Sequence, residues 1–279
     1  MCTRRCLPLV LLGLNLLAPS WMARNLCAQV SFIRISEVNF LGNQSIPAYQ
    51  LKSLLRRSRE GGRYDEQNLA ADLHRVRDAY LDRGFLNVEV GPPDVRIQGP
   101  GEAKAAVITI PVAEGKQYHA GKIAVRNGPA LSPKSLMQMS PLKEGDPYSR
   151  NKISQWREAI EEAYREIGHI RIQCGAQEEI HDAAKTVDCT MQCEEGKSYR
   201  VGKITIVGDK SVDALQFKRK LLLGEGRLFN PEMLVLSIQY LNRMNVYKPI
   251  SSSDVRMEIH DDTGTVDLTF HVILAEQQE

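Results

Sequence analysis

The chain has 279 residues, of which 43% are hydrophobic and 25% are charged, and these values are ordinary for globular domains. Its formal net charge is +2, and removal of residues 1–28 leaves 33 basic and 34 acidic residues. Such a nearly neutral chain has no overall field to attract nucleic acid or an anionic membrane, so we do not expect nucleic acid as a partner.

The N-terminus has the pattern of a secretory signal peptide. Arg4 and Arg5 precede a short apolar stretch over residues 7–18, and an acceptable cleavage site follows at Leu26-Cys27-Ala28. The apolar stretch is shorter than the roughly 20 residues that a membrane-spanning helix needs. We therefore expect export with removal of residues 1–28, and the alternative is retention of this segment as an anchor.

One ten-residue stretch occurs twice in the remaining chain. Residues 114–123 read EGKQYHAGKI and residues 195–204 read EGKSYRVGKI, with seven identical positions at a spacing of 81. The shared positions include Gly115, Tyr118 and Gly121 in the first copy and Gly196, Tyr199 and Gly202 in the second. We predict a hinge-like joint between structural repeats, where the glycines permit turns and the tyrosine packs between modules.

The first repeat has the predicted order β-α-α-β-β. Alternating apolar residues predict a strand over residues 31–40, and Ser45 is expected to cap the first helix. Asp65 is expected to cap a second helix with an apolar face. A strand at Phe85–Val90, resuming near residues 95–97, and another at residues 105–112 complete the repeat.

The second and third repeats show the same order. In the second repeat, Ser132 and Ser149 are the expected helix caps, and the predicted strands are 122–125, 170–174 and 187–193. In the third, Ser211 and Asn230 are the expected caps, and the predicted strands are 203–207, 255–259 and 265–272.

Each second helix is preceded by a glycine, an aromatic residue and a capping residue in the same spacing. These residues are Gly61, Tyr64 and Asp65; Gly145, Tyr148 and Ser149; and Gly226, Phe229 and Asn230. A capping side chain accepts a hydrogen bond from a free helix N–H, and the preceding aromatic forms a hydrophobic staple with the first turn. We interpret these residues as structural.

No catalytic residue, metal or cofactor is expected from the chemistry-bearing residues. The histidines are scattered, and Cys189 and Cys193 lie four residues apart on a predicted strand, about 13 Å apart and too far for one zinc ion. Ser149 and Lys152 have the Ser-x-x-Lys spacing of penicillin-binding enzymes, but the other motifs of those enzymes are absent.

Three cysteines remain after the predicted signal peptide, namely Cys174, Cys189 and Cys193. In an exported protein Cys174 can pair with either of the others across a hairpin, or all three can stay as buried thiols.

Two basic runs, residues 56–59 and 218–220, are interpreted as solvated helix faces, with a patch for headgroups or a partner as the alternative.

Together these features resemble the POTRA (polypeptide-transport-associated) repeat, which has the same element order, cap motif and joint. Its Tyr-x-x-x-Gly-aromatic helix end is similar to residues 80–85 and 164–169, whereas residues 240–246 lack the glycine. The resemblance covers residues 32–275. It implies an α+β fold of three tandem domains, at 29–117, 118–198 and 199–279, each a three-stranded mixed sheet with two helices on one face.

The resemblance also implies a binding function. POTRA repeats precede the barrel in outer-membrane barrel-assembly proteins and two-partner secretion transporters. We therefore expect a non-enzymatic periplasmic scaffold for unfolded outer-membrane or secreted polypeptides and assembly-complex subunits. No barrel strands follow the third repeat, so the resemblance leaves two alternatives. The chain is either a protein of POTRA repeats alone, for which an outer-membrane barrel partner can come from another chain, or a truncated relative. The alternatives are an anchored envelope or division-septum scaffold and an envelope hydrolase.

By the same resemblance, partner strands are expected to add to the edge formed by the second strand of each repeat. Such an edge offers unpaired N–H and C=O groups and makes little demand on sequence. The candidate residues are Leu86, Val88 and Val90 in the first repeat, Ile170 and Ile172 in the second, and Val255, Met257 and Ile259 in the third.

Overall fold

A computed structural model describes residues 32–100 and 104–275, so the predicted signal peptide lies outside the described residues. The chain forms three successive repeats, each with its own core of buried side chains. This confirms the predicted α+β fold of three β-α-α-β-β units, whereas the exact domain boundaries stay a prediction. None of the helices within the described ranges is long and apolar enough to cross a membrane.

Repeat 1 contains β1 (Arg34–Leu41), α1 (Ala48–Leu54), α2 (Glu66–Leu81), β2 (Glu89–Val90), β3 (Asp94–Gln98) and β4 (Ala105–Ala113). Repeat 2 contains β5 (His119–Arg126), α3 (Pro133–Gln138), α4 (Arg150–Glu166), β6 (Gln173–His181) and β7 (Thr186–Glu194). Repeat 3 contains β8 (Arg200–Gly208), α5 (Ala214–Arg219), α6 (Pro231–Arg243), β9 (Val255–His260) and β10 (Thr265–Val272).

The last strand of each repeat lies in the middle of its sheet. It runs parallel to the first strand and antiparallel to the strand or strands before it. In β4 every second residue is buried, namely Ala106, Ile108, Ile110 and Val112. Because alternate side chains of a strand point to one face, this face packs against the helices. Burial of each large apolar side chain contributes about 1.5–3 kcal/mol.

The second helix of each repeat begins at its predicted cap. The side chain of Asp65 accepts the N–H of Asn68 at 2.8 Å, and Ser149 accepts that of Lys152 at 3.2 Å. Asn230 accepts the N–H of Glu232 at 2.8 Å. Each aromatic residue of the motif packs against the core of its own repeat. Tyr148 and Phe229 are buried, and Tyr64 is partly buried.

The glycines of this motif are required by backbone conformation. Gly61, Gly145 and Gly226 have φ values of +83°, +87° and +80°, which only glycine adopts without strain. A Cβ atom at any of the three would meet nothing within 4 Å. The left-handed turn, and not lack of space, therefore explains the recurrent glycine.

Two of the predicted caps for the first helices are wrong. Helix α1 has Pro47 at its N-cap with no side-chain bond, because Ser45 instead donates its hydroxyl to Glu114 at 2.6 Å. In repeat 3 the cap is Asp213, whose carboxylate accepts the N–H of Leu215 at 2.9 Å. Ser211 does not cap this helix, and its own N–H is held by Asp209 at 2.9 Å.

The end of helix α6 lies one residue later than the aligned tyrosines suggested. Gly84 and Gly168 have φ values of +86° and +88°, and the matching left-handed residue in repeat 3 is Asn245 at +51°. Counting back four positions gives three fully buried residues, Tyr80, Tyr164 and Leu241. Tyr240 is 49% exposed, so it is not the counterpart of the buried tyrosines.

Cys174 and Cys193 form a disulfide between β6 and β7, where they face each other across the antiparallel pair. This selects one of the two pairings that the sequence left open. Cys189 has a free, buried thiol, and burial raises its pKa to about 11. A thiol of this kind behaves as a small apolar side chain.

Candidate docking edges and the joints between repeats

The first-strand edge of each sheet is covered by the loop that precedes the second helix. In repeat 1 the N–H of Ile35 bonds the carbonyl of Gly62, and the N–H of Gly61 bonds the carbonyl of Ile35, both at 2.8 Å. The same pair of bonds joins Ala120 to the 145–146 turn and Val201 to the 226–227 turn. The start of this edge is therefore occupied within the chain.

The opposite edge of repeat 2 is open along β6. The Cα atoms of Cys174 and Cys193 are 4.2 Å apart, which is the spacing of a non-hydrogen-bonded antiparallel pair. By alternation, Cys174, Ala176, Glu178 and Ile180 direct their N–H and C=O groups away from β7. The Glu161 carboxylate accepts the N–H of Cys174 at 3.3 Å. Among the described residues, the outward N–H groups of the other three have no partner.

The open edge of repeat 3 is β9. Met257 opposes Leu268 as Glu178 opposes Cys189 in repeat 2, so Val255, Met257 and Ile259 hold the outward-facing positions. Met257 is 51% exposed and Ile259 is 39% exposed. The predicted edge residues of repeat 3 therefore all lie on the open edge, and this edge is more apolar than β6.

In repeat 1 the predicted strand over residues 85–90 is wrong for most of its length. Leu86 lies in a turn and contacts the core of repeat 2, while Val88 is buried in the core of repeat 1. Of the predicted edge residues only Val90 lies in a strand, the two-residue β2. The first residues of the predicted strand instead belong to the turn after Gly84, since Leu86 donates its N–H to the carbonyl of Gly84 at 3.0 Å.

The longer edge strand of repeat 1 is β3, at the position where the sequence predicts that the strand resumes. Between β2 and β3 lies Gly91-Pro92-Pro93. Proline has no N–H group to offer a partner strand, so it interrupts an edge. The open edge of repeat 1 is consequently divided, whereas β6 runs without interruption for nine residues.

The same turn displaces the predicted edge in repeat 2. Ile170 and Ile172 both precede β6, where Ile170 contacts the core of repeat 3 and Ile172 is buried in its own repeat. We missed residues 175–181 because Gly-Ala-Gln-Glu-Glu shows no apolar alternation. The length of the opposing strand was the available signal, since the nine residues of β7 need a partner of equal length across a hairpin.

The tyrosine of each joint ties two repeats together through its backbone. Tyr118 donates its N–H to the carbonyl of Gly84 at 2.8 Å, and its own carbonyl accepts the N–H of Tyr148 at 3.0 Å. Tyr199 makes the same bonds to Gly168 and Phe229, both at 2.9 Å. The end of one second helix is thus linked to the start of the next.

The side chains of these tyrosines are buried, and their hydroxyls are hydrogen-bonded. The hydroxyl of Tyr118 donates to Asp182, while that of Tyr199 donates to Asp261 at 2.5 Å. Asn87 of repeat 1 donates its side-chain N–H to the Tyr118 hydroxyl at 3.3 Å. The tyrosine of each joint thus packs and bonds between two repeats, as the sequence predicts, while the hinge-like character of the joint stays a prediction.

Gly121 and Gly202 do not make turns, which corrects our expectation. Each instead lets a carboxylate side chain approach the backbone closely. A Cβ at Gly121 would lie 2.1 Å from a carboxylate oxygen of Asp188, and one at Gly202 would lie 2.0 Å from Asp267. That carboxylate accepts the next backbone N–H, from Lys122 in one repeat and Lys203 in the other, at 2.7 Å. The register of both strand pairs shifts at this point. Glycine therefore makes room for a side chain that holds a β-bulge.

The glutamate of each joint holds the loop after the first strand of its own repeat. Glu114 accepts the N–H of Ser45 at 2.8 Å, and Glu195 accepts that of Ala130 at 3.2 Å. Burial alone would raise the pKa of Glu114, but the hydroxyl and N–H of Ser45 hold it below its usual value. Gly115 and Gly196, which follow, have φ values of +73° and +63° and so make the predicted turns.

No group of three or more His, Cys, Asp or Glu side chains in the described part of the chain is placed to hold a metal ion. Ser149 is buried, and its hydroxyl serves as the helix cap described above. The features that remain as candidate sites are strand edges and charged surfaces.

Comparison with known proteins identifies the family. POTRA, described as surface antigen variable number repeat, matches residues 33–115, 118–196 and 199–273. The chain belongs to the POTRA family.

Similar proteins include the outer membrane protein assembly factor BamA of two bacteria. BamA of Neisseria meningitidis serogroup B is 24% identical over 260 residues, covering 85% of this chain and 32% of BamA. BamA of Buchnera aphidicola is 23% identical over 251 residues, covering 86% of this chain and 40% of BamA. The chain thus spans well under half the length of these relatives.

A solved structure shows the same fold. The crystal structure of Haemophilus influenzae BamA POTRA3-5 covers 86% of this chain, and this chain covers 96% of it. The TM-score is 0.61 at 20% sequence identity. Three consecutive repeats with the same element order therefore superpose as one unit.

Proposed function

We propose that this chain is a periplasmic, non-enzymatic scaffold for outer-membrane protein assembly that binds unfolded outer-membrane or secreted polypeptides by β-strand addition. The observation that carries the proposal is the asymmetry of the sheets. One edge of each sheet is bonded to the chain's own loop at the start of the first strand. The opposite edges keep outward N–H groups without partners among the described residues, namely those of Ala176, Glu178 and Ile180 in β6 and of Met257 and Ile259 in β9. Such an edge binds an extended segment mainly through its backbone.

The relatives support the setting of this activity. The similar proteins are named outer membrane protein assembly factors, and the three repeats resemble POTRA3-5 of BamA from Haemophilus influenzae. We extend to this chain the binding of assembly-complex subunits and of an outer-membrane β-barrel partner supplied by another chain. An exported, periplasmic location associated with the outer membrane is part of the same proposal.

The three edges differ in what they offer to a partner strand. The edge of repeat 1 is divided by Pro92 and Pro93, so it accepts the shortest strand. The edge of repeat 2 is the longest, and Glu178 and Glu179 make it acidic. The edge of repeat 3 is shorter and presents Met257 and Ile259. We assign unfolded clients with alternating apolar residues to β9 first and to β6 second.

The experiment compares proline at outward and inward positions of the same strand. Ala176→Pro and Met257→Pro each remove an N–H that faces away from the sheet, so the repeat stays folded. We expect binding of an unfolded outer-membrane protein segment to weaken roughly tenfold, because the added strand loses a hydrogen bond and meets the proline ring. Binding is measured by site-specific crosslinking and fluorescence anisotropy.

Gln177→Pro and Glu258→Pro are the matched controls, since their N–H groups point into the sheet. These variants lose a ladder hydrogen bond and are expected to lower the free energy of unfolding, measured by urea titration. Unchanged client binding in both outward variants, with their fold intact by circular dichroism, contradicts strand addition at these edges.

A further inference from the structure

The loop between α1 and α2 of repeat 1 is held by one buried carboxylate. Asp72 of α2 is fully buried, and its oxygens accept the backbone N–H groups of Arg56, Arg57 and Ser58 at 3.2, 3.0 and 2.7 Å. The guanidinium of Arg75 also donates to this carboxylate. Burial alone would raise the pKa of Asp72, but the three backbone donors hold it below its usual value. The loop is therefore fixed around an ionised group.

This arrangement leaves three guanidinium groups on the surface. We call residues 56–59 the arginine loop, in which Arg56, Arg57 and Arg59 are exposed. Arg57 donates to the side-chain oxygen of Asn68 at 3.0 Å. None of the three has an acidic partner within the residues that the structure describes, and the nearby Glu60 is engaged by Lys52 at 2.8 Å. The loop thus presents positive charge that the chain does not neutralise.

The other repeats do not carry this charge at the same place. Counting back from Gly145, the positions of Arg56, Arg57 and Arg59 are taken by Ser140, Pro141 and Lys143 in repeat 2. In repeat 3, counting back from Gly226, they are taken by Leu221, Leu222 and Gly224. All three repeats fold, so the fold itself does not require arginines here. Repeat 2 keeps one positive residue there, Lys143, and repeat 3 keeps none, so the cluster of three arginines belongs to repeat 1 alone.

A cavity of about 210 Å³ opens beside the loop. It is lined by Val38, Leu55, Lys52, Glu60 and Arg59. Val38 and Leu55 are buried, so they give the cavity an apolar floor, while the Lys52–Glu60 ion pair forms part of its wall. The Glu60 carboxylate would repel a phosphate placed in this cavity, whereas an apolar side chain fits the floor.

We propose that the arginine loop and this cavity bind an acidic polypeptide segment, with carboxylates on the guanidinium groups and one apolar side chain in the cavity. Guanidinium groups pair well with carboxylates, often through two hydrogen bonds. This site goes beyond the proposed strand addition, because none of its residues belongs to β6 or β9. It gives repeat 1, whose edge is divided, a binding mode of its own.

The test uses the full chain and a short fluorescent peptide of glutamates around a central leucine. The variant Arg56→Glu/Arg57→Glu/Arg59→Glu is expected to bind this peptide at least tenfold more weakly than the original protein. The matched control, Arg77→Glu/Lys134→Glu/Lys210→Glu, changes the net charge equally at exposed positions elsewhere. We expect the control to bind within twofold of the original protein. Equal losses in the two variants, or no loss in either, overturn the proposal.

Three further measurements separate a specific binding site from general charge attraction. Asp72→Asn makes the protein more positive but releases the loop, so the proposal predicts weaker peptide binding, measured once hydrogen exchange confirms that repeat 1 is folded. Replacing the leucine of the peptide by serine is expected to weaken binding about fivefold. Flotation with vesicles containing phosphatidylglycerol is the last comparison. If the arginine-loop variant loses vesicle binding but keeps peptide binding, the proposal is wrong and the surface binds lipid.

Discussion

The second helices of repeats 1 and 2 hold the loop before them by opposite means. At the position eleven residues after the motif glycine, repeat 1 has Asp72 and repeat 2 has Trp156, and both side chains are fully buried. Asp72 accepts three backbone N–H groups, whereas Trp156 fills the space with its ring and donates its indole N–H to the carbonyl of Leu136 at 2.8 Å. The facing loop residue changes in parallel, from Ser58 to Leu142.

This difference shows that one backbone accepts either a charged or an apolar filling, provided that loop and helix change together. Repeat 3 is intermediate, since Ser237 accepts the N–H of Leu222 at 2.9 Å and donates to the carbonyl of Met233 at 2.7 Å. The surface follows the same division. Repeat 1 presents arginines on this loop, while Leu222 of repeat 3 is 55% exposed.

The largest effect is expected at the apolar member of the comparison. Trp156→Ala removes the largest fully buried side chain of the described chain and leaves a cavity. We expect a loss of about 4 kcal/mol in the free energy of unfolding of repeat 2. Amide hydrogen exchange, resolved by repeat, measures this loss. A loss below about 1 kcal/mol contradicts the role of the ring as the filling of the core.

The charged member is expected to contribute somewhat less. Asp72→Ala leaves three backbone N–H groups of the loop without their acceptor, so we expect a loss of about 2–3 kcal/mol in repeat 1. Hydrogen exchange at Arg56, Arg57 and Ser58 is expected to speed up most. Asp78→Ala, at an exposed position of the same helix, is the control and should leave these rates unchanged.

The charged filling also makes repeat 1 sensitive to acid. The pKa of Asp72 is lowered in the folded state, so its stabilisation is complete above the ordinary carboxyl value of about 3.9. That stabilisation is lost as the pH falls through the lower folded-state pKa. We therefore expect the free energy of unfolding of repeat 1 to fall less steeply with decreasing pH in Asp72→Asn than in the original protein. Hydrogen exchange between about pH 5 and pH 2.5 measures this dependence. An unchanged slope means that other carboxylates control it.

The smallest effect is expected at the hydroxyl of repeat 3. Ser237→Ala removes one acceptor for Leu222 and keeps the helix, so we expect a loss of about 1 kcal/mol. Ser237→Thr preserves the hydroxyl and serves as the comparison variant. If Ser237→Ala lowers the free energy of unfolding as much as Asp72→Ala does, the expected order of apolar, charged and hydroxyl, from largest to smallest, is wrong.

The elements that recur by local rules were predictable from the sequence. The caps Asp65, Ser149 and Asn230 and the apolar faces of the second helices follow from residues that are neighbours in the chain. The threefold repetition then indicated the family and the order of the elements along the chain. Among the first-helix caps, Ser132 was predicted correctly, since it accepts the N–H of Ser135 at 3.1 Å. Ser45 was not, because it is bound by Glu114, a partner 69 residues away that no local rule reveals.

The open edge strands of the sheets were also difficult to locate from the sequence. After the second helices of repeats 1 and 2 the chain makes a turn, which buries Val88 in repeat 1 and Ile172 in repeat 2 before the edge strand begins. Both residues look like strand residues, because a buried turn and a buried strand have the same composition. The sequence shows that the joint is repeated, but not its hydrogen bonds, since Tyr118 and Gly84 meet only in the folded chain.

The Cys174–Cys193 disulfide has a mechanical consequence for any strand that attaches to β6. A force on an attached strand would peel β6 from β7 one hydrogen bond at a time, beginning at the hairpin end near His181. The peeling must stop at Cys174, because a covalent bond cannot be opened in this way. Beyond that point the load passes to β7, which is paired in parallel with β5, whose start is anchored next to Tyr118. The disulfide therefore prevents complete separation of β6 from β7 when the middle repeat is pulled.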